Sequence, residues 1–219
     1  MTKETLAHDD ALRTKYPIIV GCDEVGRGCL AGPIVTAAVI LPYGVDIEGV
    51  KDSKKINKKN HEALARLIFE KAIEVQIGIK SSNEIDDMNI LEADKEAMRD
   101  SIIKLHTIPD LILIDGDNKQ LLGTEYPEQT IIKGDAKSLT IGAASIIAKY
   151  TRDRLMQKYA LQYPGYGFET NAGYGTAQHI AAIKRLGITP VHRLTFEPIK
   201  RNQNNWPYNP GIGGQNDTR

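Results

Sequence analysis

Four acidic residues in this sequence stand where an apolar run stops. Asp23 and Glu24 follow Pro17-Ile18-Ile19-Val20-Gly21-Cys22, Asp115 follows Leu111-Ile112-Leu113-Ile114, and Asp135 follows Thr130-Ile131-Ile132-Lys133-Gly134. A carboxylate at the mouth of a buried strand is unfavourable without a positive partner, and hard divalent cations take carboxylate oxygens. If the first strand and the Asp115 strand lie parallel and adjacent, Asp23, Glu24 and Asp115 meet at one sheet edge, where ligands of open α/β sheets gather. Asp135 would complete a ring of four. Such a ring cannot stay fully ionised without counter-charge. Two divalent cations about 4 Å apart supply it, and clamp the attacking and leaving oxygens of a phosphodiester. Gly26-Arg27-Gly28 comes directly after the acid pair, and its glycines let backbone amides approach a phosphate or sugar. The plainer reading of any one acid is a solvated turn at a strand end; three such strand ends in one chain favour the metal.

The elements that must position these acids alternate along the chain. Residues 17–22 read as a buried strand, and 34–42, after Gly32-Pro33, as a second strand paired with it. Leu64, Leu67, Ile68 and Ile73 give helical spacing over 57–73, and 74–81 alternates as a third strand. Ile90, Leu91, Ala97, Met98, Ile102 and Leu105 form a helical stripe through the acidic segment 82–100, whose acids read as a solvated face; Pro109 ends it. The run 110–116 suits a central strand buried on both faces, and 129–135 another short strand. Residues 138–162 read as a helix, with Gly142, Ala143, Ala144 and Ser145 small enough for close packing on a sheet. The glycine- and tyrosine-rich stretch 163–175 reads as a loop, and Thr176 caps a helix that Gly187 ends. This order implies an α/β fold with a mixed sheet.

The chain has 219 residues, 41% of them hydrophobic, with 28 basic against 28 acidic side chains. Net charge gives no sign of a polyanion partner, so any such sign must come from local clusters. Lys51, Lys54, Lys55, Lys58 and Lys59 form one; Lys133, Lys137, Lys149, Arg152 and Arg154 form a second. Beside a carboxylate centre these read as phosphate tracks. Tyr166 and Tyr174 lie in glycine-rich loops, where an aromatic ring stacks on a base or sugar unless it belongs to the core. His61, His106 and His179 read as surface or capping residues, and His192 as a residue near the ligand but not a base. Cys22 and Cys29 match no zinc spacing and read as buried free thiols. No apolar run is long enough to span a membrane, and the N-terminus lacks a signal-peptide core, so a cytoplasmic protein is expected.

Taken together, Asp23–Gly28 (DEVGRG), Cys29–Pro33 (CLAGP), Asp52–Lys55 (DSKK), Ile114–Gly116 (IDG), Lys133–Ser138 (KGDAKS), Ala143–Arg154 (AASIIAKYTRDR), Gly173–Thr176 (GYGT) and His192–Pro198 (HRLTFEP) resemble type 2 ribonuclease H, or ribonuclease HII, of the bacterial type. The likeness spans 17–198. It implies the ribonuclease H-like fold, a mixed five-stranded sheet flanked by helices with a helical C-terminal region. It divides the chain into an N-terminal arm (1–16), a catalytic domain (17–200) and a tail of disordered composition (201–219). It implies an endonuclease that cuts the RNA strand of RNA–DNA hybrids and single ribonucleotides in duplex DNA, acting as a monomer, with no membrane partner. It implies Mg²⁺ or Mn²⁺, in a two-metal arrangement, at Asp23, Glu24, Asp115 and Asp135. It implies substrate contacts from Gly26, Arg27 and Gly28 at the 2′-hydroxyl that marks RNA, from Ser53 and Lys54, and from Tyr174 at the sugar of the junction. Asp117 adds an acid near the metals to which no role is given.

Two other readings are open. A phosphoacceptor signalling domain also places an acid pair, an aspartate and a lysine, here Lys133, at strand ends. The long separation of Asp23 from Asp115 in the chain argues against it. A nuclease of the same fold acting on DNA alone differs only in its substrate.

Overall fold

The computed structural model describes residues 2–50, 58–117, 120–202 and 204–211. Five strands, β1 (Ile19–Val25), β2 (Ile34–Ile40), β3 (Glu74–Lys80), β4 (Leu111–Asp115) and β5 (Glu128–Ile131), form one sheet in the order β3-β2-β1-β4-β5. β1 is antiparallel to β2 and parallel to β4, and β4 is parallel to β5. The sheet is therefore mixed, as expected. β2, β1 and β4 are its inner strands, and this is why β1 and β4 read as unbroken apolar runs: helices cover both of their faces.

Side chains alternate across the sheet. Val20, Cys22, Ile112 and Ile114 point to one face and pack on Met98 and Ile102 of α4 (Ile90–Ile103). Ile19, Leu111 and Leu113 point to the other and meet Ile141 of α5 (Leu139–Gln162). On that same face Ala37 and Val39 pack with Leu64, Ala65 and Ile68 of α2 (Lys58–Lys71) and with Ala143, Ala144 and Ile147 of α5. Each of the Val, Leu, Ile and Met side chains among these, once buried, contributes about 1.5–3 kcal/mol. Gly21 lies under the start of α5, where a Cβ would sit 2.4 Å from the carbonyl carbon of Thr140. The helix can approach β1 this closely only because that side chain is missing.

The chain divides into two compact units. Residues 1–25, 35–79 and 94–151 make the first, and residues 26–34, 80–93 and 152–219 the second. In the first, α1 (Thr2–Arg13) is tied by its side chains. Asp9 Oδ2 accepts from both the amide (2.9 Å) and the hydroxyl (2.8 Å) of Thr140 at the start of α5, and Arg13 donates to the Leu41 carbonyl at 2.9 Å. A carboxylate there answers unpaired amides at a helix N-terminus.

In the second unit, α6 (Phe168–Asn171), α7 (Ala177–Leu186) and α8 (Ile199–Asn202) surround Met156, Tyr163, Tyr166, Phe168, Ile183 and Ile188. Composition marks 201–219 as a disordered tail; of that stretch, Trp206 packs against this cluster, and the Pro207 carbonyl accepts from the Ile188 amide at 2.6 Å.

The acidic stripe differs from expectation. It is two helices, α3 (Ser82–Met88) and α4, separated at Asn89, whose φ of 75° no helix continues. Asn89 Oδ1 then accepts from the Leu91 and Glu92 amides at 3.0 and 3.2 Å and restarts the helix. Its acids are not all solvated: Asp94 is fully buried and accepts from Gln120 at 2.9 Å, while Asp86 accepts from the Leu194 and Thr195 amides at 2.6 and 2.9 Å. No helix among the described residues is long and apolar enough to cross a membrane.

Candidate active site

The strand pairing places three of the four acids. Cys22 of β1 pairs with Ile114 of β4 in parallel register, so Asp23 and Asp115 are the next residues at the same end of neighbouring strands. Both alternate onto the face covered by α5, whereas Glu24, one residue on, turns to the opposite face. Asp23 is buried, at 5% exposure. Its Oδ1 accepts from the Glu24 amide at 2.8 Å, and it also bonds the hydroxyl of Ser145 from α5. Burial pushes the Asp23 carboxyl well above the usual range; the neighbouring charges of Glu24 and Asp115 push it further, against the opposing hydrogen bonds from Ser145 and the Glu24 amide.

Asp135 reaches this edge through a turn. β5 stops at Ile131, Lys133 takes a left-handed conformation (φ 56°, ψ 45°), and a 3₁₀ turn runs from Gly134 to Ala136. The Gly134 amide donates to Asp115 Oδ1 at 2.6 Å, which sets Asp135 one residue from a direct contact of Asp115. A Cβ on Gly134 would fall 2.6 Å from Ile141 Cδ1 and 3.3 Å from Asp115 Oδ1, so a side chain there would have to displace the end of Ile141. Among the described residues, no three His, Cys, Asp or Glu side chains stand ready to hold a metal ion as they are arranged.

In the second unit the Gly26–Gly28 and Gly173–Tyr174 segments are held together. The Gly173 carbonyl accepts from the Leu30 and Ala31 amides at 2.8 and 3.3 Å. Arg152, fully buried, donates to the carbonyls of Ala31, Pro33 and Ala172 at 3.0, 2.9 and 2.7 Å. Arg193, also fully buried, donates to Gly26 at 2.7 Å, Arg27 at 2.9 Å and Gly32 at 2.9 Å. Burial lowers the Arg193 guanidinium to about 10, which leaves it charged at neutral pH. Two buried cations satisfied by carbonyl oxygens fix the backbone of both segments.

Gly26 has a φ of 105° and abuts Arg152, where a Cβ would sit 2.4 Å from Nε. Gly28 is exposed, and a Cβ added there would meet nothing within 4 Å. Tyr174 is 45% exposed, and its hydroxyl bonds the buried Cys29 thiol.

Of the two glycine-loop tyrosines, Tyr166 takes the core alternative: it is fully buried, stacks on Phe168 at 5.4 Å and donates its hydroxyl to the Gly187 carbonyl. Other expectations are corrected. Arg152 belongs to no phosphate track, since all three of its described bonds go to backbone carbonyls of buried loops. His179 is buried rather than at the surface, and His192 is buried as well. Ser53 and Lys54, with Lys51 and Lys55, lie outside the described residues.

A family model described as ribonuclease HII matches residues 20–199. The chain belongs to the ribonuclease HII family. Its relatives include the ribonuclease HII of Leuconostoc mesenteroides, 54% identical over 84% of this chain and 72% of that protein. That of Enterococcus faecalis is 49% identical over 90% of this chain and 77% of that protein. Among solved structures, ribonuclease H2 from Pyrococcus horikoshii superposes with a TM-score of 0.74 at 27% identity, covering 85% of this chain and 97% of that one. As a member of the ribonuclease HII family, the chain is a ribonuclease H enzyme, an endonuclease.

Ser145, which bonds Asp23, and Arg152 and Arg193, which hold the Gly26–Gly28 segment, have roles that the sequence did not assign to them. Ser145 was legible only as a small residue. Arg193 carried no spacing signal. Arg152 did: it falls four residues after Ala148 and four before Met156, both buried, which puts a charge inside the apolar stripe of α5.

Proposed function

We propose that this enzyme cuts the RNA strand of RNA–DNA hybrids, and single ribonucleotides embedded in duplex DNA, leaving 3′-hydroxyl and 5′-phosphate ends. Asp23, Glu24, Asp115 and Asp135 are its catalytic acids and hold Mg²⁺ or Mn²⁺. The observation that carries the reading is the parallel register of β1 and β4, which sets Asp23, itself buried, and Asp115 at the same end of neighbouring strands, with Glu24 next in the chain. A cluster of this kind is stable in its ionised form only with a cation beside it, and an all-oxygen donor set suits a hard divalent ion.

When bound, the cation pair supplies an activated water and stabilises the departing 3′ oxygen. The protein supplies no nucleophile. Ser145 and the Glu24 amide hold Asp23 in orientation, and the Gly134 amide holds Asp115. Gly26, Arg27 and Gly28 bind the ribonucleotide: the amides approach the 2′-hydroxyl and adjacent phosphate, and the open space at Gly28 admits a sugar-phosphate backbone that a side chain would block. Tyr174 packs on the sugar at the junction, and Ser53 and Lys54 contact the strand.

The test is a DNA duplex carrying one ribonucleotide, incubated with Mg²⁺, Mn²⁺ or chelator, with the cut mapped. Metal-dependent cleavage at the ribonucleotide, with the all-DNA duplex untouched, is the expected result. Undiminished cleavage in chelator, or equal cutting of the all-DNA duplex, would overturn the proposal.

A further inference from the structure

Two histidines that the proposed chemistry does not use lie end to end in the second unit. His179, in the first turn of α7, and His192 are 0% and 1% exposed. Their Nε2 atoms are 3.2 Å apart. The Thr189 amide donates to His192 Nδ1 at 3.0 Å, and the Thr189 hydroxyl lies 2.8 Å from the same nitrogen. At the other end, His179 Nδ1 is 2.9 Å from the Tyr174 carbonyl oxygen.

The ends dictate the protons between them. A backbone amide can only donate, so His192 Nδ1 accepts, and neutral His192 carries its proton on Nε2. That proton points at His179 Nε2, which must accept. His179 then holds its own proton on Nδ1 and gives it to the Tyr174 carbonyl, a group that can only accept. Both ends give the same assignment independently. Burial lowers both imidazoles below their usual value, His192 to about 3, so both are neutral at pH 7. Phe168 and Tyr166 rings at 5.3 Å from His179 and His192 respectively leave the pair little room to turn.

We propose that His179 and His192 are positioning residues for Tyr174: a one-way hydrogen-bond relay starting at the Thr189 amide fixes the backbone that carries the sugar-facing phenol. The inference rests on the placement of Tyr174 at the junction. The residue is thereby held at two points, its carbonyl by His179 and its hydroxyl by Cys29. A ring held in place loses little freedom on binding, and one displaced by about 1 Å at such a site costs up to ~100-fold in rate.

A double-mutant cycle tests this on the single-ribonucleotide duplex. His179→Leu should lower kcat/KM about 10- to 100-fold when Tyr174 is present, and cause no further loss in a Tyr174→Ala background. His179→Asn, whose amide nitrogen can replace the Nδ1 donor but not the Nε2 acceptor that meets His192, should recover part of the loss. Equal losses from His179→Leu in both backgrounds, or no rescue by His179→Asn, would overturn the relay. A silent Tyr174→Ala would remove Tyr174 from the substrate site and the relay's purpose with it. Should His179→Leu fail to fold, ¹⁵N spectra of the unmodified enzyme decide the hydrogen bonds directly. They should show an Nδ1-protonated His179 and an Nε2-protonated His192 at pH 7; any other tautomers overturn the inference.

Discussion

The backbone amide of Gly134 donates to Asp115 Oδ1 at 2.6 Å. An acid at the end of one strand thus fixes the turn that follows the next strand, and the turn carries Asp135. Asparagine keeps that acceptor and removes only the charge. Asp115→Asn should therefore fold normally, bind hybrid, and lose more than about 100-fold in kcat, beyond what loss of an outer-shell metal partner costs. Circular dichroism, a hybrid-binding titration and single-turnover cleavage check the three parts. An active Asp115→Asn enzyme would exclude Asp115 from the chemistry.

Asp23 makes the opposite demand on stability. Its carboxyl is raised in the folded protein, so stability that is full below the ordinary value of 3.8 is lost as pH rises from there through the folded-state value. Asp23→Asn retains an acceptor for the Glu24 amide and loses the charge. In metal-free buffer at pH 7 the variant should melt higher than the parent, by about 1–3 kcal/mol of added stability, while cleavage is abolished. Calorimetry in chelator measures the first and the ribonucleotide assay the second. A lower melting temperature would mean that the buried charge is already compensated without metal.

The two glycines around Arg27 should respond differently to alanine. Gly26→Ala puts a methyl 2.4 Å from Arg152 Nε at a φ of 105°, and should cost about 1–3 kcal/mol of stability. Gly28→Ala meets no atom of the protein. It should leave the melting temperature unchanged and raise KM for the ribonucleotide duplex about tenfold or more, as expected when about 1.4 kcal/mol of binding is lost. Unchanged kinetics for Gly28→Ala would show that substrate does not approach there.

Glu74 gives a pH signature remote from the chemistry. Burial by itself raises its carboxyl, but bonds from the His106 and Thr107 amides, at 2.9 and 3.0 Å, together with Gln76 and the His106 ring, outweigh this and hold it at about 2. A folded-state value below the ordinary 4.5 contributes stability that is present above that pH and lost as pH falls from about 4.5 towards 2. Glu74→Gln should cost about 1–3 kcal/mol at pH 7 and flatten the acid limb of the melting curve in that window. An acid limb identical to the parent's would remove Glu74 from it.

What the sequence determined by itself was the set of strand-end acids and the strands that carry them. A strand buried on both faces must be apolar throughout, so Ile19–Cys22 and Leu111–Ile114 announce themselves, and the acids that end them stand out. The motif residues Gly26, Arg27, Gly28 and Tyr174 were legible as a family resemblance. What holds each of the two tyrosines of the glycine-rich stretch in its place was not. Tyr166 and Tyr174 have similar glycine-rich neighbours, and only the distant Gly187 carbonyl and the Cys29 thiol separate them. Nor could local pattern show that Arg193 is buried, or that His179 and His192 meet. A charged or titratable side chain is tolerated inside only where distant backbone groups or rings complete its hydrogen bonds. Those partners are chosen by the packing of the whole chain, which no window of sequence contains.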